Sequence, residues 1–116
     1  MADDQAQVRE LVKVTLAGNY TITTVSSGAE AIAAFTNSAY DLLILDVMMP
    51  GEFDGLATAR HIRETDSEVP IIFLSAKGQE DDMAAGKAAG GNHYLVKPFS
   101  PLELLDKVET SLNKGS

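Results

Sequence analysis

The chain has no cysteine and no tryptophan among its 116 residues. Without thiols it has no disulfide, no thiolate metal centre and no cysteine nucleophile, and redox chemistry says nothing about its compartment. Basic residues are scarce: 9 Lys and Arg stand against 17 Asp and Glu, a formal charge of −8. Nucleic-acid modules present a basic face to the phosphate backbone, so direct nucleic-acid binding is not expected. No apolar run approaches the roughly 20 residues that span a bilayer, and the first residues have neither the basic segment nor the apolar core of a signal peptide. The expectation is a cytoplasmic protein with no membrane partner. No Gly-rich phosphate loop follows any candidate strand, which disfavours a small flavodoxin-like enzyme.

What is present reads as one globular domain over residues 1–116, with 45% hydrophobic and 22% charged residues, long enough for a single core. Val8, Leu11, Val12, Thr15 and Leu16 lie on one stripe of a helix from about Gln5 to Ala17, ended by Gly18-Asn19. Tyr20 to Val25 reads as a strand. Ser27-Gly28-Ala29-Glu30 is a capping box that opens a helix through Ile32 and Phe35. Asp41 to Val47 is a continuous apolar run, as in a strand covered on both faces. A helix from about Leu56 to Thr65 turns Leu56, Ala59 and Ile62 inward, and Val69 to Ala76 is the next buried strand. An Ala-rich helix is expected over Gln79 to Ala89, then a short strand over His93 to Val96. Ser100, Pro101 and Glu103 cap a last helix whose inner face is expected to carry Leu102, Leu105, Val108 and Leu112. Asn113 to Ser116 reads as a frayed tail. Strands alternating with helices predict an α/β fold, a parallel sheet with helices on both faces.

In such sheets chemistry collects beyond the carboxyl ends of the strands. Asp46 stands there after "LLIL", Ser75 after "IIFL" and Lys97 after "YLV". Singly, an Asp is a turn former, a Ser a helix cap and a Lys a solvated end. Together they put a carboxylate, a hydroxyl and an ammonium at the same end of successive strands.

The segments "DLLILDVMMPGEFDG", "PIIFLSAKGQEDD" and "AAGGNHYLVKPFSPLELLDKV" resemble, in order and spacing, the response regulator receiver domains, the CheY-like family with its flavodoxin-like sheet. The likeness reaches back through Arg9 to Asp3-Asp4. It implies that Asp46 is the phosphoacceptor, taking a phosphoryl group from a histidine kinase or phosphotransfer protein. It implies Mg²⁺ held by Asp3, Asp4, Asp46 and the backbone carbonyl of Met48, a hard cation on oxygen ligands. Lys97 would clamp a phosphoryl oxygen, and Lys97-Pro98 would form a cis-proline turn. Ser75 and Tyr94 would act as the switch, reshaping a surface read by a downstream protein target. Such a chain is a signalling domain and not an enzyme beyond its own phosphorylation and dephosphorylation. His61 and His93 lack a second ligand at metal spacing.

The chain departs from the family in two places. "PGEFDG" is one residue longer than the commoner "PGMDG", with Glu52 and Phe53 in place of one apolar residue. More seriously, only Met1 and Ala2 precede Asp3, where receivers carry an apolar first strand in the middle of a 2-1-3-4-5 sheet. Losing four or five buried aliphatic side chains forfeits on the order of 10 kcal/mol, against a domain stability of about 5 to 15 kcal/mol. The expectation is therefore a four-stranded, five-helix domain in which the strands at Tyr20 to Val25 and Leu42 to Asp46 close up, or in which another chain fills the gap. A homodimer with swapped or paired elements would do the latter. Two functions follow: a stand-alone phosphorelay receiver, or a receiver-like dimerisation module, never phosphorylated, whose Mg²⁺ site is impaired because Asp3 and Asp4 are too mobile.

Overall fold

A computed structural model of the chain describes residues 1–76 and 87–112. Among them are helices α1 (Ala6–Leu16), α2 (Gly28–Asn37), α3 (Gly55–Arg63) and α4 (Pro101–Leu112), and strands β1 (Leu43–Asp46), β2 (Ile71–Ala76) and β3 (His93–Lys97). The strands form one parallel sheet in the order β1-β2-β3, with Leu45 opposite Phe73 and Leu74 opposite Leu95. Most of the helix expected over Gln79 to Ala89, and the tail from Asn113, lie outside the described residues. No helix among the described residues is long and apolar enough to cross a membrane.

Side chains that alternate along β1 explain the layers. Leu43 and Leu45 face α2 and α3 and pack with Ala59, Ile62 and Phe73. Ile44 faces α1 and α4 and packs with Val12, Leu16, Leu104 and Val108. With both faces covered, all of β1 is buried, as its unbroken apolar run requires. The caps work as the sequence suggests. Ser27 Oγ accepts from the Glu30 N–H at 3.2 Å, and Glu30 Oε1 reaches back to the Ser26 N–H at 3.1 Å. At α4 the box is reciprocal, Ser100 Oγ with the Glu103 N–H at 3.1 Å and Glu103 Oε1 with the Ser100 N–H at 3.0 Å.

Two expectations are corrected. Leu102 is not on the inner face of α4 but 78% exposed, because the buried stripe runs through Leu104, Val108 and Ser111. Tyr20 to Val25 is not a strand of the sheet: only Val25 makes a bridge, since the ladder that would define the rest has no neighbour to pair with.

The chain also does more with its first residues than the sequence suggests. Ala2 bridges Val25 on one side and Leu45 on the other, both in parallel. Its N–H donates to the Ile44 carbonyl at 2.8 Å, its carbonyl accepts from the Asp46 N–H at 2.9 Å, and the Val25 N–H donates to the Met1 carbonyl at 2.9 Å. Met1 adds a donation from its ammonium to the Thr23 carbonyl at 2.8 Å, and burial lowers that amine to about 6. The site end of the central position is thus held by residues 1–3, giving the spatial order 25-2-β1-β2-β3. The flanking segments do not close up behind Met1. They leave an open cavity of about 430 Å³ there. The further detail that the sheet contains four strands is not met among the described residues, which contain three.

Gly28 is where α2 and α3 touch. A Cβ there would strike Thr58 Oγ1 and the Phe53 carbonyl, and would sit 2.8 Å from the Phe53 Cβ, whereas a Cβ at Gly18 meets nothing within 4 Å. Gly28→Ala should therefore destabilise the domain by about 1 to 3 kcal/mol, with Gly18→Ala within about 0.5 kcal/mol of the parent. Urea denaturation of the two variants checks this.

Candidate functional site

Strand register alone assembles half of the site. Asp46 ends β1 opposite Leu74, Ser75 is the next residue along β2, and Lys97 ends β3 opposite Ala76. Asp46 and Ser75 are buried. Asp3 arrives from the other side, because Ala2 is in ladder with Leu45 and the following residue stands beside Asp46. Asp3 is fully buried. Its Oδ1 accepts from the Gln5 N–H at 2.8 Å, and its carbonyl accepts from Arg9 Nη1 at 2.8 Å. The first turn of α1 therefore clamps the acid in place, so Asp3 is not the mobile end that a missing strand would suggest. Asp4 is exposed at the rim.

Lys97 ties these groups together. Its Nζ lies 2.9 Å from Asp3 Oδ2 and 3.3 Å from Asp46 Oδ2, and it donates to Gln5 Oε1 at 3.1 Å. The ammonium thus hydrogen-bonds the Gln5 amide and lies within ion-pair distance of both carboxylates. The Lys97-Pro98 bond is cis, as the resemblance implies. Gln5 was not singled out from the sequence; its only signal is its place directly after the acid pair, at the N-cap of α1.

Two carboxylates sharing one cation are short of positive charge. Burial, and next the neighbouring Asp3, raise Asp46 to about 6, against the opposing pull of Lys97 and the Met48 N–H. The same shortage suits the cluster to a cation. Oxygens of Asp3, Asp4 and Asp46 lie within 4.8 Å of one another. Asp3 Oδ2, although beside Lys97, has no aligned hydrogen bond and keeps a lone pair for a metal. Met48 turns its N–H toward Asp46 Oδ1 at 3.4 Å, and no described hydrogen bond takes its carbonyl. An all-oxygen, mostly anionic donor set suits a hard divalent cation such as Mg²⁺.

The other candidates stand further out. Tyr94 pairs with Phe73, farther back along the strand than Lys97, and stacks on that ring with centroids 6.1 Å apart. Its hydroxyl is buried with no hydrogen-bond partner among the described residues, and burial raises its pKa. His61 is exposed, 3.8 Å from Glu64, and neither it nor His93 belongs to the acidic cluster. In the long loop, Gly51 takes a φ of 97° and Glu52 is exposed. Phe53 lies edge-on to His61, centroids 5.9 Å apart. Asp54 then caps α3 through the Ala57 N–H at 2.8 Å. Gly55 starts α3 against the Asp46 carbonyl, where no Cβ would fit.

Comparison with known proteins agrees with this geometry. Residues 1–109 match the family described as "Response regulator receiver domain". The transcriptional regulatory protein ResD of Bacillus subtilis (strain 168) is 44% identical over 117 residues, covering 100% of this chain and 48% of ResD. The chain thus spans about half the length of the curated relatives it matches. Among solved structures, a putative response regulator from Chloroflexus aurantiacus J-10-fl superposes with a TM-score of 0.92 at 35% identity, over 97% of this chain and 94% of that one. The receiver domain of NtrX from Brucella abortus gives 0.93 at 27% identity, over 98% and 97%.

A carboxyl raised in the folded state binds its proton more tightly there than in the unfolded chain. Its contribution is most favourable below about pH 4 and is lost as pH rises through about 6, where the buried anion forms. Asp46→Asn should therefore be more stable than the parent at pH 7 by up to about 3 kcal/mol, and the gap should close by pH 4. Denaturant midpoints across that range, in EDTA, give the test.

Proposed function

The chain belongs to the response regulator receiver domain family of two-component systems, and from that membership we propose that Asp46 is its phosphoacceptor, charged by a histidine kinase or phosphotransfer protein in the cytoplasm. The observation that supports this most is Lys97 Nζ spanning Asp3 Oδ2 and Asp46 Oδ2 at 2.9 and 3.3 Å. A nucleophile, a metal-binding acid and a movable positive charge are in one place.

An oxygen of Asp46 attacks the phosphorus of the donor while its P–N bond breaks. The electron pair goes to the imidazole nitrogen, which then takes up a proton. The attacking group must be ionised, so a partner that neutralises Asp3 and Asp46 together is needed. Asp3, Asp4, Asp46 and the Met48 carbonyl would hold Mg²⁺, which supplies positive charge to the incoming phosphoryl oxygens. Lys97 trades its contact with Asp46 for a phosphoryl oxygen, staying anchored by Asp3 and Gln5. Ser75, one residue along from the partner of Asp46, donates to the new acyl phosphate. Tyr94, behind it with a buried hydroxyl that has no hydrogen-bond partner among the described residues, follows, and the surface around β3 and α4 changes for a downstream protein target. The unphosphorylated dimerisation module is the weaker reading, since its premise was a mobile Asp3 and that residue is fully buried and clamped.

Incubation with acetyl phosphate and Mg²⁺, followed by intact mass, should show one added phosphoryl group, absent in EDTA and in Asp46→Asn. Lys97→Ala should slow the reaction by roughly 100-fold, as loss of a charge-stabilising donor does. No adduct at any Mg²⁺ concentration would contradict the proposal. Separately, Mg²⁺ should raise the melting temperature of the parent, and Asp3→Asn should lose most of that rise.

A further inference from the structure

Three of the four described helices begin on a side chain that caps them. Ser27 accepts from the Glu30 N–H, Asp54 from the Ala57 N–H and Ser100 from the Glu103 N–H. Helix α1 is the exception. Its N-cap residue, Gln5, has the extended backbone of a cap, φ −91° and ψ 116°, yet its side chain makes no capping hydrogen bond. Serine, aspartate and asparagine cap because a short side chain folds back onto the first turn. Glutamine is longer, and here it reaches away from the helix, where its Oε1 accepts from Lys97 Nζ at 3.1 Å. An ammonium only donates, so the contact fixes which end of the amide faces Lys97. Helix α1 thus forgoes a cap, and the side chain in the capping position serves Lys97.

The backbone of Gln5 is held independently of that contact. Its N–H donates to Asp3 Oδ1 at 2.8 Å, and its carbonyl accepts from the Val8 and Arg9 N–H groups at 3.1 Å. The amide oxygen is therefore carried on an anchored helix start at the rim of the acidic cluster. Lys97 needs such a hold, because an ammonium on a flexible four-carbon stem has no geometry of its own. Its other neighbours are Asp3 Oδ2 at 2.9 Å and Asp46 Oδ2 at 3.3 Å. On the reading of Asp46 as phosphoacceptor, on which this inference rests, Asp46 becomes an acyl phosphate and Asp3 is among the residues that would hold Mg²⁺. The Gln5 amide has neither task. We propose that Gln5 is a positioning residue for Lys97, its neutral amide oxygen keeping the ammonium over the site while the ammonium exchanges a carboxylate for a phosphoryl oxygen. Being neutral, it does this without adding a third carboxylate around one cation.

Substitutions at position 5 separate this role from stability. Gln5→Ser supplies the short hydroxyl that caps α2 and α4 and removes the reach to Lys97. In EDTA it should melt about 2 to 5 °C above the parent. With saturating Mg²⁺ it should take up the phosphoryl group of acetyl phosphate roughly fivefold more slowly, as loss of one hydrogen bond to a charged group does. Gln5→Glu keeps the length and the acceptor, and should react within about twofold of the parent. In a Lys97→Ala background, Gln5→Ser should change the rate by less than about twofold, because the group it places is gone. Without metal or phosphodonor, the Nζ resonance of Lys97, read through its ε-methylene protons, should move in Gln5→Ser while that of Lys107 on α4 stays. An undiminished rate in Gln5→Ser, slowing that accompanies a fall in melting temperature, equal slowing with and without Lys97, a Gln5→Glu as slow as Gln5→Ser, or an unmoved Lys97 resonance would each overturn the proposal. A parent that gains no phosphoryl group would sink the assignment of Asp46 and this proposal together, whereas a reactive parent with unchanged variants sinks this proposal alone.

Discussion

The structure depends on two carboxylates buried side by side with one ammonium between them. Asp3 and Asp46 repel, both are removed from water, and among the described residues Lys97 is the cation within contact distance of both carboxylates. Such an arrangement costs stability in its resting form. It persists because each member is held by the fold rather than by the others: Asp46 by β1, Lys97 by β3, and Asp3 by Ala2 in the ladder and by the first turn of α1. A deficit of positive charge maintained in this way suits a divalent cation, and with burial it explains why Asp46 is raised to about 6.

Much of this was legible in the letters. The continuous apolar run of β1 and the capping boxes of α2 and α4 carry local signals strong enough to survive packing. Asp46, Ser75 and Lys97 follow their strands directly, and a parallel register then has only one place to put them. Asp3 needed the family resemblance, since nothing local distinguishes an acidic pair at residues 3 and 4 from solvated decoration. Gln5 was not legible, because an amide at an N-cap has many reasons to be there and only three dimensions bring it to Lys97. Leu102 failed for a related reason: a leucine in the first turn of a helix fits the apolar period, but the stripe that meets the sheet is set by the crossing of α4 over β2 and β3.

How residues 1–3 are used was half legible. The open cavity of about 430 Å³ lined by Met1, Ile22, Ile44 and Val108 lies beside the central position of the sheet. What the sequence did not show is that Met1, Ala2 and Asp3 suffice to bridge the site end. Ala2, bridged on both sides, fixes the following acid beside Asp46, while the cavity lies at the other end of the sheet. The acidic cluster and the cavity are therefore separated along the same strand position.

On the proposed reading, this cluster makes Asp46, and neither of its acidic neighbours, the phosphoacceptor. Borohydride reduces an acyl phosphate to the alcohol, converting a phosphorylated aspartate to homoserine, so reduction after treatment with acetyl phosphate and Mg²⁺, then peptide sequencing by tandem mass spectrometry, locates the group. The account predicts homoserine at position 46 and unmodified aspartate at positions 3 and 4. Homoserine at either of those positions, or at none of the three, would contradict it.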